Sequence, residues 1–309
     1  MEDRRNRPIL VTGSHRSGST WVGQMIARSP EVTYVHEPFN VNPRAGIYSG
    51  QFEHWFTYVC AENGGLYEEY LRHCVEQRYP LALKLKAAEG LKDVARVVRN
   101  YGRFALSSPS HQRVLIKDPI ALFSAEWLAN TFDMDVVVLI RHPAAFAGSI
   151  KQANWPHPFT HFLNQPLLIR DHLSEFADDI ELFANSDQAI LDQAILLWNM
   201  IYATVIKLKE RQSSWHFIRH EDLSTAPVEQ FADLFQNLHL EYSQSVQDEI
   251  SSHSLAIHSQ KEHEILSIRR NSYANLSNWK QRLTPQEVKR VRAGTEELCH
   301  HFYDDNDWL

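Results

Sequence analysis

"PILVTGSHRSGSTW", residues 8–21, opens on a short apolar run, passes through a loop with two glycines and enters a stretch of helical apolar spacing. A loop between a buried strand and a helix aims its backbone N–H groups at one point, and the helix dipole makes that point attractive to an anion. Gly13 and Gly18 permit the tight turn. Arg16 adds a fixed cationic fork, and Ser17, Ser19 and Thr20 add hydroxyl donors. The stretch predicts strand, anion-binding loop and helix.

The loop nearly has the form G-x-x-x-x-G-K-[ST] of nucleoside triphosphatases, but Ser19 stands where the lysine belongs. Serine has neither the charge nor the reach to hold β- and γ-phosphates. A phosphate site is expected, and nucleoside triphosphate hydrolysis is disfavoured.

Working outward, "VTYVHEPF" (32–39), "RVLIKDP" (113–119) and "WHFIRHEDLS" (215–224) read as strands, each running into a proline or a turn. "MDVVVLIRHP" (134–143) is continuously apolar, as a central parallel strand covered on both faces must be. Helical spacing marks 20–29, "ALFSAEWLANTF" (121–132), "AAFAGSIKQ" (144–152), 192–211 and "PVEQFADLFQNLHL" (227–240). Thr284, Pro285 and Glu287 spell a helix start with a capping box. Within 40–110, "FEHWFTYVC" (52–60), "LYEEYLRHCVEQR" (66–78) and "LKDVARVVRNYGR" (91–103) also read as helices. Alternating strands and helices predict an α/β fold of three layers, P-loop-like, with a central, mostly parallel sheet flanked by helices. No linker divides the chain, so 1–309 reads as one domain, with 40–110 a helical insertion shaping an acceptor site.

A second element joins the first. Arg141 leaves the carboxyl end of the central strand, where ligands bind in open α/β sheets, and Ser149 follows two turns along the next helix. Both can reach one phosphate. Together, "RSGSTW" (16–21) and the Arg141–Ser149 pair resemble the 5′-phosphosulfate and 3′-phosphate motifs of sulfotransferases that use 3′-phosphoadenosine 5′-phosphosulfate, PAPS. "FIRHEDL" (217–223) and "NWKQRLT" (278–284) are similar to later segments of that family. His142 departs from the usual Asp or Asn there and receives no role.

The resemblance implies PAPS as co-substrate, no metal, and binding by Arg16, Ser17, Gly18, Ser19, Thr20, Trp21, Arg141 and Ser149. Trp21 would stack on adenine, or simply pack in the core. Arg270, just upstream of Trp279, is a candidate to close over the 3′-phosphate, or part of a solvated charge run. Small-molecule sulfotransferases take a base from a Lys-Thr-His stretch, but here Pro119 holds the histidine's place after Lys117 and Asp118. Carbohydrate and tyrosyl-protein sulfotransferases carry instead a Glu at the end of the strand after the first helix, which is Glu37 here. Glu37 is the expected base, with Asp118 and His36 in reserve. Arg16 and Lys117 are the expected electrophilic pair. Trp55, Trp155 and Phe159 are candidates to line a site for a small-molecule or carbohydrate acceptor. A phosphate-loop kinase of small molecules and a non-catalytic nucleotide-binding protein stay open.

Composition limits the rest. A net charge of −7 over 309 residues leaves no basic excess for nucleic acid. Three widely spaced cysteines, Cys60, Cys74 and Cys299, suit reduced thiols in the cytoplasm. Apolar runs such as "VVVLI" are too short to span a bilayer, and no leader is read at the start. His157/His161 straddle a proline and His216/His220 fall in a strand, so neither pair suggests a metal site.

Overall fold

The computed structural model describes residues 6–43, 45, 47–86, 88–107, 112–255 and 276–309. Five strands form the sheet: β1 (Ile9–Gly13), β2 (Val32–His36), β3 (Arg113–Lys117), β4 (Asp135–Ile140) and β5 (His216–Arg219). Their spatial order is β2-β3-β1-β4-β5 and every pairing is parallel. The chain fills one side of β1 with β3 and β2, then crosses to the other with β4 and β5. The crossovers therefore diverge between β1 and β4, which opens a crevice at their carboxyl ends. Val11 lies beside both Lys117 and Val137, so the loops after β1, β3 and β4 leave at nearly one level.

The main helices are α1 (Ser19–Ile26), α2 (Glu68–Val75), α3 (Leu81–Lys86), α4 (Leu91–Ser107), α5 (Ala125–Phe132), α6 (Pro143–Ala153), α7 (Ile190–Arg211), α8 (Pro227–Asn237) and α9 (Pro285–Cys299). Strand alternation divides the core into two layers. Leu10, Ile116, Val136 and Val138 pack with residues of α5, α6 and α7. Ile9, Val11, Leu115, Val137 and Leu139 pack with Val22 and Met25 of α1 and Phe231 and Phe235 of α8. Each buried aliphatic side chain contributes roughly 1.5–3 kcal/mol, whereas an exposed ion pair contributes about 0–1 kcal/mol. The sheet sandwich, not the surface charge pairs, holds the site in place.

By length and composition α7 is apolar enough to cross a membrane, yet 61% of that stretch is buried inside the protein. It is a core helix: Trp198 and Tyr202 are fully buried on it and brace the exit of β4. The α9 capping box is present, with Thr284 Oγ accepting from the Glu287 N–H and Glu287 accepting from the Thr284 N–H.

Residues 52–60 are not the expected helix. Phe52, Phe56 and Val59 are buried at helical intervals, but Phe56 has φ 57° and the segment is a loop. Its backbone is satisfied by distant side chains: Trp55 N–H donates to His161 Nδ1 (2.8 Å), Tyr58 N–H to Gln165 (2.8 Å) and Val59 N–H to Ser124 Oγ (2.8 Å). Those bonds replace the helical ladder, which sequence spacing alone cannot foresee. Within 121–132 only Ala125–Phe132 is α-helical, because Pro119–Ser124 winds as a 3₁₀ turn.

Candidate active site

The first loop leaves β1 at Gly13, whose φ is 141° and where a Cβ would lie 2.4 Å from the Leu139 carbonyl oxygen. Arg16 follows with φ 64°, a left-handed conformation that costs about 1–3 kcal/mol in a non-glycine residue. Gly18, at φ 89°, begins α1 with no side-chain cap, so the first N–H groups of that helix face the loop. A Cβ on Gly18 would strike His220 Nδ1 at 2.3 Å. His220 starts the short helix after β5, its Nε2 paired with Ser224 Oγ (3.2 Å).

Across the crevice, Arg141 directly follows β4. Its backbone is fixed from both sides: the N–H donates to Tyr202 Oη (2.7 Å), and its carbonyl accepts from Trp198 Nε1 (3.0 Å). Tyr202 Oη also meets Ser14 Oγ at 3.0 Å, which ties the β1 and β4 exits together. Glu221 Oε1 lies 3.6 Å from Arg141 Nε, and its Oε2 accepts from Tyr303 Oη (2.7 Å). Ser149 sits two turns into α6 and accepts from Arg16 Nε at 2.8 Å. The two sequence motifs thus meet, although Ser149 pairs with Arg16 rather than Arg141. Among the described residues, Arg141 Nε and Nη1, Ser17 Oγ and His220 Nδ1 are buried without a hydrogen-bond partner. Buried polar groups are normally satisfied. Orphaned cationic and hydroxyl donors around uncapped helix N–H groups fit a phosphorylated ligand.

Beside them, β2 ends at His36 and Glu37 turns out at φ 40°. Glu37 N–H donates to the Lys117 carbonyl (2.9 Å). Lys117 Nζ donates to Glu37 Oε1, and Asn40 Nδ2 donates to Glu37 Oε2 at 2.7 Å. Burial alone would push the Glu37 carboxyl up, but the charge and hydrogen bond of Lys117 outweigh it and hold the group below its ordinary range. Lys117 is fully buried. Its stem runs against Gly23 of α1, where a Cβ would lie 3.0 Å from Lys117 Cγ.

A family model described as "Sulfotransferase family" matches residues 8–244. The chain belongs to that family. No curated protein matches it. Among solved structures it resembles the "Sulfotransferase Domain from the Curacin Biosynthetic Pathway" at 14% identity, with 94% of this chain and 97% of that one covered and a TM-score of 0.50. It also resembles the "Sulfotransferase Domain from the Synechococcus PCC 7002 Olefin Synthase" at 14% identity, with 96% and 94% covered and a TM-score of 0.52. These likenesses show the shared α/β fold.

In this sulfotransferase the reserve bases fare differently. Asp118 is buried and both its oxygens accept backbone N–H groups, of Phe39 (2.6 Å) and Ile120 (3.2 Å). Those two bonds brace the turn after Glu37, and burial and the Glu37 charge push the carboxyl up to about 8. His36 is partly exposed, with Nε2 3.9 Å from Glu37 Oε2. Burial and Lys117 lower its imidazole. Trp21 packs edge-on against Phe231 (5.3 Å) and His220 (5.7 Å). Arg270 lies outside the described residues.

His15 of the first loop helps to line an aromatic cleft with Trp55, Phe56, Ile120, Trp155, His157 and two prolines. Trp55 and Trp155 line this cleft, whereas Phe159 is buried in the core. His15 and His157 were not read as site residues. Each carries a buried ring nitrogen with no partner among the described residues. Burial holds His15 neutral, its imidazole lowered to about 3, with Arg16 adding to the effect. Among the described residues no three His, Cys, Asp or Glu side chains gather as metal ligands.

His142 also gains a role. It is the N-cap of α6, its Nδ1 accepting from the Ala144 N–H at 3.3 Å, as an Asp or Asn would. The ring stacks on Trp279 and meets Trp308 and Tyr303 edge-on. Burial lowers its imidazole to about 4, helped by Arg141 and Arg219 and opposed by Glu221. The unfolded chain takes up this proton near pH 6.5, whereas the folded chain refuses it until about 4. Stability should therefore fall as pH drops through that window. Urea titration should show His142→Asn reducing the loss between neutral pH and about pH 5 by about 2 kcal/mol. An unchanged pH dependence would refute the cap assignment.

Proposed function

We propose that the chain transfers the sulfuryl group of PAPS to a hydroxyl of a carbohydrate, glycolipid or small-molecule acceptor. The observation that carries this reading is the buried Arg141 guanidinium, whose Nε and Nη1 have no hydrogen-bond acceptor and only Glu221 at 3.6 Å as ion-pair partner among the described residues, together with an uncapped helix start and the orphaned Ser17 hydroxyl. Arg141 binds the 3′-phosphate, and Arg16, Ser17, Ser19 and Thr20 hold the 5′-phosphosulfate with the α1 N–H groups. Ser149 positions the Arg16 fork through its 2.8 Å hydrogen bond. The acceptor lies in the aromatic cleft, its apolar face on Trp55 and Trp155 and its hydroxyls toward His15 and His157.

Sulfuryl transfer, like phosphoryl transfer, relies on in-line positioning and on stabilising charge at the leaving oxygen. Glu37 takes the acceptor proton as the new S–O bond forms. The bond from sulfur to the 5′-phosphate breaks, and its electron pair stays on the phosphate oxygen. Lys117, one strand over, neutralises that oxygen. Calorimetric titration tests the donor site. Adenosine 3′,5′-bisphosphate should bind at least about 100-fold tighter than ADP, the difference supplied by one buried charge-assisted phosphate contact. Preference for ATP with magnesium would turn the reading towards a kinase, and binding of none towards a non-catalytic protein.

A further inference from the structure

We propose that Glu221 is a fixed counter-ion that limits how tightly Arg141 holds the 3′-phosphate, so that the spent nucleotide can leave; this rests on the assignment of Arg141 to that phosphate. A carboxylate that meets a guanidinium inside a protein ordinarily forms a hydrogen-bonded pair at about 2.7–2.9 Å. Here the two groups stand off. Glu221 Oε1 lies 3.6 Å from Arg141 Nε, and that nitrogen has no hydrogen-bond acceptor among the described residues. The carboxylate offsets the buried charge, yet leaves the Nε and Nη1 donors open to a ligand.

Other bonds hold the carboxylate where it is. Glu221 follows β5 in the short helix His220–Thr225. Its Oε1 accepts from the His142 N–H (3.2 Å) at the cap of α6, and its Oε2 accepts from Tyr303 Oη (2.7 Å) beyond the end of α9. Both anchors are packed in place. The His142 ring lies among Trp279, Tyr303 and Trp308, and Tyr303 is buried with the Arg219 guanidinium over its ring at 5.2 Å. Both Glu221 oxygens are thus engaged away from the guanidinium. A phosphate seated on Arg141 meets a negative charge that has nowhere to go. In a half-buried site, one unit charge acting a few ångströms beyond contact changes affinity by about tenfold. The sulfuryl donor and the product adenosine 3′,5′-bisphosphate carry the same 3′-phosphate, so Arg141 binds both alike. Such uniform binding does not speed the chemical step, and it delays release of the product. Glu221 weakens that hold without occupying the site.

The test is calorimetry and stopped-flow displacement on the full chain, with adenosine 3′,5′-bisphosphate and ADP as probes. Glu221→Gln keeps the length and both bonds: its oxygen accepts from the His142 N–H and its NH2 donates to the Tyr303 hydroxyl. Without the charge, the bisphosphate should bind about tenfold tighter, chiefly through slower dissociation, while ADP changes by less than about threefold. A clamp that merely joins α6 to the residues after α9 would lose stability on this change and bind neither nucleotide more tightly. Tyr303→Phe tests the stand-off from the other side. It frees Oε2, lets the carboxylate close on the guanidinium, and should weaken bisphosphate binding by at least about threefold. Unchanged or weaker bisphosphate binding in Glu221→Gln, equal tightening of ADP, or tighter bisphosphate binding in Tyr303→Phe would overturn the proposal. A natural chain that binds the bisphosphate no better than ADP would overturn the donor assignment first, and this proposal with it.

Discussion

Glu37→Gln should lower turnover by about 10²–10⁴-fold while leaving the affinity for adenosine 3′,5′-bisphosphate unchanged. The amide keeps the shape of the carboxylate and its oxygen still accepts from Lys117, while the Asn40 amide turns to offer its oxygen to the new NH2. What is lost is the ability to take a proton. Single-turnover rates beside calorimetry separate the two quantities. Undiminished turnover would move the base elsewhere, with Asp118 and His36 beside Glu37 next in line.

The resting pair constrains how such a base works. Glu37 is held below its ordinary range by Lys117, which makes it a weak proton acceptor in the form seen here. In the proposed reaction Lys117 is wanted in two places, on Glu37, where the structure holds it, and on the leaving phosphate oxygen. As charge builds on that oxygen, the ammonium shifts towards it, and Glu37 keeps only Asn40 and its buried surroundings. Loss of the lysine's field raises the basicity of Glu37 when the acceptor proton must leave. Lys117→Met should accordingly abolish turnover and move the Glu37 titration upward.

The parts legible in the sequence are those set by local pattern. Continuous apolar runs gave β1, β3 and β4, and a glycine loop before helical spacing placed the start of α1 at the strand ends. Arg16, Glu37, Lys117, Arg141 and Ser149 do gather around one crevice, because parallel strands with loops at one level leave them little choice. Pairings were not legible. The contact between Arg16 and Ser149 spans 133 residues, and that between Glu37 and Lys117 depends on the register of His36 beside Lys117. The misread helix at 52–60 shows the limit of periodicity, since a loop pinned by Ser124, His161 and Gln165 buries the same intervals as a helix. His142 was readable and missed: a residue before Pro143 at a helix start is an N-cap position, and a neutral imidazole can accept there.

Arg141→Ala should raise the dissociation constant for adenosine 3′,5′-bisphosphate by about 100-fold or more and leave that for ADP within about twofold. A charge-assisted contact from a buried guanidinium is worth about 3 kcal/mol, and each 1.4 kcal/mol is tenfold in affinity. The comparison is specific because ADP lacks the 3′-phosphate and so has nothing for Arg141 to hold. A merely structural arginine would weaken both ligands equally or unfold the chain. Unfolding is not expected: the Arg141 backbone is fixed by Tyr202 and Trp198 without help from the side chain. Removing the guanidinium leaves Glu221 with the His142 N–H and Tyr303 as partners, so the carboxylate stays satisfied. Arg141→Lys keeps the charge but loses the planar fork, and should recover only part of the affinity. Equal loss for both nucleotides would place the 3′-phosphate elsewhere and remove the observation on which the donor assignment rests.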